Sequence, residues 1–299
     1  MRVIFFGTPE IAFFCLKRII ESKKEIAAVV TVPDKPQGRG LRLIESEVKK
    51  AAKEFSLPIL QPESLKDETF ITALKNYDAD VFVVVAFRIL PKIVYEIPKL
   101  GSINLHGSLL PKYRGAAPIQ WALINGEKET GVTTFFLKEK VDGGDIILQR
   151  KIEICDDDDF GSLYEKMKII GSEVLIETLD LIEQGAVVPT KQNETEVSFA
   201  PKITKEICKI DWNKSAENIR NLIRGLSPYP GAFFIKNDKM YKVFKAKVVE
   251  EPKLKIGEFM QTKKDLFVGC CDKSLQILSI QPENKKIMSS EEFVRGYII

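Results

Sequence analysis

Asn104 and His106 stand two residues apart in the segment LGSINLHGSLLPKYRGAAPIQWALINGE, residues 100–127. On an extended strand that spacing projects both side chains from one face, while Ile103 and Leu105 point to the other. A carboxamide can donate a hydrogen bond to a developing oxyanion, and an imidazole can donate or shuttle a proton. Together they make half of an acyl-transfer site. His106 is the one histidine in 299 residues. Any imidazole chemistry therefore has a single address, and a metal site built on several histidines is excluded. A carboxylate partner could come from Asp142 or Asp145 in KEKVDGGDII. The same residues could instead form a hairpin turn, because Asp142-Gly143 is a favoured type I′ pair. Spacing alone leaves that choice open.

The pair needs a strand whose carboxyl end meets a crevice, and the flanking sequence supplies one. Residues 3–6 form an apolar run closed by Gly7-Thr8-Pro9; Ile11, Phe14, Cys15, Arg18 and Ile19 then recur at helical spacing, and 26–32 is the next β-branched run. Residues 48–55 and 64–77 read as helices. Residues 81–86, apolar on both faces, read as a strand inside a parallel sheet covered on both sides. Residues 102–106 are a further strand, 118–125 a helix, and 132–137 with 146–152 a strand pair. This alternation predicts an α/β fold, a Rossmann-like open parallel sheet. It places Asn104 and His106 at the carboxyl edge, where ligand crevices form, and Gly107 leaves that edge open.

A second, smaller unit follows. The expected division is 1–189 for the α/β domain, 190–203 for a polar linker, and 204–299 for a C-terminal β-barrel of OB-like type. Ile219, Leu222, Ile223 and Leu226 form one helix stripe, stopped by Ser227-Pro228-Tyr229-Pro230-Gly231. Short strands are expected at 233–235, 241–249, 266–271 and 275–280. Phe244, Ala246 and Val248 alternate with Lys245 and Lys247, which predicts one buried and one wet face.

Net charge is +3, but it divides unevenly. Residues 1–203 carry 27 basic and 30 acidic side chains, and residues 204–299 carry 18 and 12. The positive excess of the last third points to a polyanionic partner. Five cysteines without C-x-x-C spacing read as reduced thiols. The apolar start is broken at Gly7–Glu10, and no run approaches the roughly 20 residues of a membrane helix. A cytoplasmic protein without membrane association is expected. Asp159-Phe160-Gly161 lacks the companion motifs of a kinase, and residues 156–159 precede a helix pattern at 163–181. The first string is read as a chance match and the second as helix-start structure.

The segments FFGTPEIA (5–12), PDKPQGRG (33–40), INLHGSLLPKYRGAAPIQWALINGE (103–127), TGVTTFFLKEKVDGGDII (130–147) and KIDWNKSAENIRNLIRGLSPYPGAF (209–233) together resemble the folate-dependent formyltransferases over nearly the whole chain. Asn-x-His followed by Ser-Leu-Leu-Pro and a later Asp-Gly-Gly-Asp is the specific part. The resemblance implies Asn104, His106 and Asp142 as the catalytic trio, with 10-formyltetrahydrofolate as formyl donor and no metal. It implies the α-amino group of initiator Met-tRNA as acceptor, folate contacts at Ser108, Leu109, Leu110 and Pro111, and tRNA contacts at Lys35, Arg39 and Arg42. A monomer is expected. Transfer to a small amine, such as an amino sugar nucleotide or purine precursor, and hydrolysis of the formyl-folate are the rival activities within the same fold. Two departures from the family pattern stand out. The loop at residues 86–91, which the resemblance places against the pterin, is one residue short and carries Arg88 in place of glycine. Glu45 and Glu47 add negative charge beside the basic loop.

Overall fold

A computed structural model describes residues 1–37 and 42–299. β1 (Arg2–Gly7) is buried from its second residue onward. α1 (Glu10–Glu21) lays Ala12, Cys15, Leu16 and Ile19 into the core at spacings of three and four. β2 (Glu25–Val30) follows, and then β3 (Lys35–Gln37) pairs antiparallel with β4 (Arg42–Ile44). α2 (Glu47–Glu54) begins at Ser46, whose hydroxyl accepts from the N–H of Lys49. After β5 (Ile59–Leu60), the Asp67 carboxylate caps α3 (Glu68–Asn76) by accepting from the N–H groups of Thr69 and Phe70.

β6 (Val81–Val85) is buried at every position. Each valine fully removed from water is worth about 1.5–3 kcal/mol, so this strand anchors the sheet. The chain continues through α4 (Lys92–Tyr95), β7 (Ser102–His106), β8 (Arg114–Gly115), α5 (Pro118–Ile124), β9 (Glu129–Phe136), β10 (Ile146–Glu153) and α6 (Phe160–Glu183) to β11 (Phe199–Ala200). Seven strands form one sheet in the order β10-β9-β7-β6-β1-β2-β5. β5, β2, β1, β6 and β7 run parallel, and β9 is antiparallel to β7. From β1 the chain builds outward to β2 and β5, and from β6 it builds the other way to β7. The switch between β1 and β6 opens a crevice at the carboxyl ends of these strands. β7 delivers Asn104 and His106 to that edge.

Packing divides the chain into two units that are discontinuous in sequence. Met1–Gly115, Gly131–Ile152 and Lys166–Phe199 form one; Ala116–Thr130, Glu153–Glu165 and Ala200–Ile299 form the other. The polar stretch 190–203 carries a 3-10 turn at Glu194–Glu196 and then β11, which pairs with β8.

In the second unit, α7 (Ala216–Gly225) starts at Ser215, whose hydroxyl accepts from Asn218. An antiparallel sheet follows: β12 (Ala232–Lys236), β13 (Lys239–Val249), β14 (Phe259–Gln261), β15 (Leu266–Gly269), β16 (Ser274–Pro282) and β17 (Met288–Ser289). α8 (Ser290–Gly296) closes the chain. Ile219 and Ile223 of α7 pack with Phe234, Tyr241, Leu275 and Phe293 in one core. Along β13 the inward set changes parity. Tyr241 and Val243 are buried, whereas Ala246 and Val248 are the inward residues further on. A bulge in the pairing with β16 between Val243 and Ala246 accounts for the change. At the α6 start, the Asp159 carboxylate accepts from the N–H of Ser162, so the Asp-Phe-Gly string caps a helix. The thiols of Cys15 and Cys270 are pushed up to about 12 by burial, which makes them inert at neutral pH.

Candidate active site

His106 ends β7 and is 6% exposed. Its Nε2 lies 2.8 Å from the carbonyl oxygen of Tyr113. A carbonyl can only accept, so Nε2 carries the hydrogen, and Nδ1 is the nitrogen left to take up or release a proton. Nδ1 lies 3.9 Å from Asp142 Oδ2. Asn104, two residues earlier on the same face, is half-buried, and its carboxamide hydrogen-bonds to none of the described residues.

Asp142 combines the two readings that spacing left open. It occupies the third position of a turn closed by the Gly143 N–H donating to the Lys140 carbonyl at 3.0 Å, with φ +51°. Left-handed backbone at that position suits glycine, asparagine and aspartate. The turn is centred one residue before the Asp142-Gly143 pair, so it is not the type I′ hairpin that this dipeptide favours. Asp142 Oδ2 accepts from the Gly115 N–H at 2.8 Å. The turn thus aims the carboxylate at the strand end that carries His106. Asp145 points elsewhere, pairing with Lys138 at 2.7 Å.

The Ser108–Pro111 loop is braced from beneath. Thr133, opposite His106 on β9, donates its hydroxyl hydrogen to the Ser108 carbonyl and accepts from the Leu110 N–H. Gln149 donates to the Leu110 carbonyl at 2.8 Å and to the Thr133 hydroxyl at 2.9 Å. Ser108 is buried, its hydroxyl donating to the Lys112 carbonyl. Leu110 is buried, Pro111 half-buried, and Leu109 packs over Gly131, where a Cβ would collide with it.

At the carboxyl end of β6, Ala86 adopts φ +47°. Arg88, the residue in place of glycine, anchors the shortened loop. It donates to the carbonyls of Pro62 at 2.7 Å and Glu63 at 3.0 Å, and its guanidinium stacks 5.3 Å from the Phe87 ring centre. Its Nε is buried and has no hydrogen-bond partner among the described residues, and the adjacent Ile89 is 74% exposed. The loop therefore presents an apolar side chain to solvent at the end of β6.

Of the basic loop, Lys35 and Arg42 belong to the paired strands β3 and β4. Their side chains, and the whole of Arg39, lie outside the described residues. Glu45 is matched by lysines of α2. A hydrogen bond from Lys53, reinforced by Lys49 at 3.4 Å, holds its carboxyl below the usual range. Glu47 pairs with Lys50 at 2.6 Å. The charge expected to oppose the basic loop is neutralised locally.

Sequence reasoning missed the residues that hold the site rather than line it. Tyr113 and Gly115 contribute backbone groups, and Thr133 and Gln149 contribute side chains from β9 and β10. Gln192 comes from the stretch read as linker. Tyr113, Gly115 and Thr133 fell within segments already singled out, whereas Gln149 and Gln192 did not.

A family model described as formyl transferase matches residues 1–179, and one described as formyl transferase, C-terminal domain, matches residues 202–298. Methionyl-tRNA formyltransferase of Thermodesulfovibrio yellowstonii is 49% identical over 295 residues, covering 98% of this chain and 95% of that protein. The chain belongs to the methionyl-tRNA formyltransferase family. The enzyme of the same name from Clostridioides difficile is 48% identical over 302 residues, covering 100% of this chain and 98% of the relative. Among solved structures, an N-formyltransferase from Helicobacter canadensis in complex with folinic acid and dTDP-3-aminofucose superposes with TM-score 0.68. It shares 22% identity, over 94% of this chain and 98% of that one. HypX from Aquifex aeolicus, in complex with tetrahydrofolic acid, gives TM-score 0.67 at 20% identity. That match covers 98% of this chain and 46% of HypX. At such identities these two establish the fold. No described helix is long and apolar enough to cross a membrane.

Proposed function

We propose that this enzyme transfers the formyl group of 10-formyltetrahydrofolate to the α-amino group of initiator Met-tRNA in the cytoplasm, with Asn104, His106 and Asp142 as catalytic residues. The observation that carries the assignment is the His106 ring, buried with Nε2 fixed on the Tyr113 carbonyl and Nδ1 turned toward Asp142. Donor binding is supported at the edge formed by the ends of β6 and β7. The unengaged Asn104 carboxamide and the exposed Ile89 offer polar and apolar contacts for a heterocycle. Ser108, Leu109, Leu110 and Pro111 form the braced wall next to it. Lys35, Arg39 and Arg42, together with the positive C-terminal third, are assigned to the tRNA.

The donor supplies a formyl group on a nitrogen that leaves with the electron pair of the C–N bond. Asn104 donates its amide hydrogen to the formyl oxygen as negative charge grows there, a contribution confined to the transition state. Asp142 uses Oδ2 on Gly115 and keeps Oδ1 free of the described residues, so it can receive, through water, the proton that the attacking amine loses. His106, protonated at Nδ1, faces Asp142 Oδ2 at 3.9 Å and gives its proton to the departing nitrogen. The proton held by Asp142 then passes to Nδ1 of His106, directly or through water, which returns both residues to their starting forms.

Transfer to a small amine is the weaker reading, because the relatives sharing 42–49% identity over 99–100% or 98% of this chain carry the tRNA name. Purified enzyme supplied with Met-tRNA and 10-formyltetrahydrofolate should give formyl-Met-tRNA. Equal consumption of the folate in the absence of tRNA would make it a hydrolase instead.

A further inference from the structure

Asp142 is held at its backbone as well as at its carboxylate. Gln192 Nε2 donates to the carbonyls of both Asp142 and Gly144, each at 2.8 Å. Gln192 Oε1 accepts from Arg114 Nε at 3.0 Å and Nη2 at 2.7 Å. Arg114 is 2% exposed, and its guanidinium also donates to Glu194 at 3.0 and 3.3 Å. A guanidinium has only donors, so it fixes which end of the Gln192 amide faces it. The two N–H bonds are thereby directed at the turn. The residue after Arg114 is Gly115, whose N–H holds Asp142 Oδ2. The same short strand thus sets the carboxylate directly and the turn backbone through Gln192.

We infer that Gln192, oriented by Arg114, is a positioning residue that fixes the direction of the Asp142 carboxylate. The left-handed Asp142 backbone is disfavoured relative to ordinary helical geometry. Such a conformation persists where its surroundings over-determine it, and Gln192 supplies that constraint. The inference rests on the catalytic reading of Asp142.

Gln192→Glu tests it at constant shape. The variant keeps an acceptor toward Arg114 but turns a second oxygen toward two carbonyls in place of the donor. Misplacement of a catalytic group by about 1 Å can cost on the order of 10²-fold in rate. The expected result is a kcat loss of about 10- to 100-fold, with KM for Met-tRNA and for the folate within about twofold of wild type. Gln192→Ala, which introduces no charge, should show the same pattern with a folded protein by circular dichroism. Asp142→Asn is assayed alongside. If Asp142→Asn retains wild-type turnover, the catalytic reading fails and takes this inference with it. If Asp142→Asn is inactive while both Gln192 variants keep their kcat, the positioning role alone is overturned. Raised KM at unchanged kcat, or loss of the folded protein in both Gln192 variants, also overturns it.

Discussion

The hydroxyl of Thr133 donates to the carbonyl of Ser108 at 2.6 Å and accepts from the N–H of Leu110 at 3.2 Å. One side chain on β9 therefore satisfies the backbone on both sides of Leu109, while Gln149 adds a bond to the same hydroxyl. Thr133→Val keeps the shape and removes every one of these bonds. Leaving buried groups unpaired costs about 1–3 kcal/mol each when no water replaces the partner. The variant should melt at lower temperature, and its KM for 10-formyltetrahydrofolate should rise more than its KM for Met-tRNA. Calorimetry and steady-state kinetics check both statements.

His106→Ala should abolish turnover, since no second imidazole exists in the chain to take over. Loss of general acid–base catalysis typically costs about 10²–10⁴-fold. The strand should still form, because its partners on β6 and β9 are held by backbone pairing. Single-turnover assays with prebound tRNA report the chemical step; near-wild-type rates would remove His106 from the mechanism.

Glu194 predicts a pH dependence of stability. Hydrogen bonds from Arg114 and from Lys140 lower its carboxyl to about 2, against 4.5 for the free side chain. A folded-state value below the unfolded one means that the ionised form favours folding. This contribution is complete above pH 4.5 and lost as pH falls toward 2. Glu194→Gln should therefore be less stable than wild type at neutral pH, with the difference shrinking through that window. Solvent screening at this exposed carboxylate keeps the effect modest. Parallel urea titrations across the range would show the convergence or its absence.

Replacing Arg39 and Arg42 together with alanine should raise KM for Met-tRNA more than KM for the folate. Each lost phosphate contact should also flatten the salt dependence of tRNA binding by about one unit of slope. Filter binding at several salt concentrations measures this directly. An unchanged slope would remove these arginines from the RNA interface.

Much of the fold was legible because its signals are local. The apolar run at 81–85, the helical stripe of α1 and the Asn-x-His spacing each lie within a few residues of themselves. The closing helix α8 was also legible in principle: Ser289 and Glu292 form a capping box, and its S-x-x-E signature is a local sequence signal. The support of the site was not legible. The Tyr113 carbonyl and the Gly115 N–H are backbone groups with no side-chain signature, and Gln192 sits in a polar stretch without periodicity. Its relation to Asp142, 50 residues earlier, exists only once the chain has closed on itself. The choice between turn former and carboxylate partner at Asp142 could not be made from spacing, because the residue sits in a turn and also directs its carboxylate toward His106.

Gln192 and Ser198, the latter accepting from the Tyr113 N–H at 2.9 Å, lie beyond the last residue of α6. During synthesis, the seven strands of the large sheet are all present once residue 153 has been added, yet these two holders of the site are still missing. The order of emergence from the ribosome therefore separates folding from competence. A nascent chain ending at residue 183 would possess the sheet, the histidine and the Gly115 bond to Asp142, but a turn still without its Gln192 restraint. The hydrogen bonds from Gln192 and Ser198 would arrive only with the next fifteen residues.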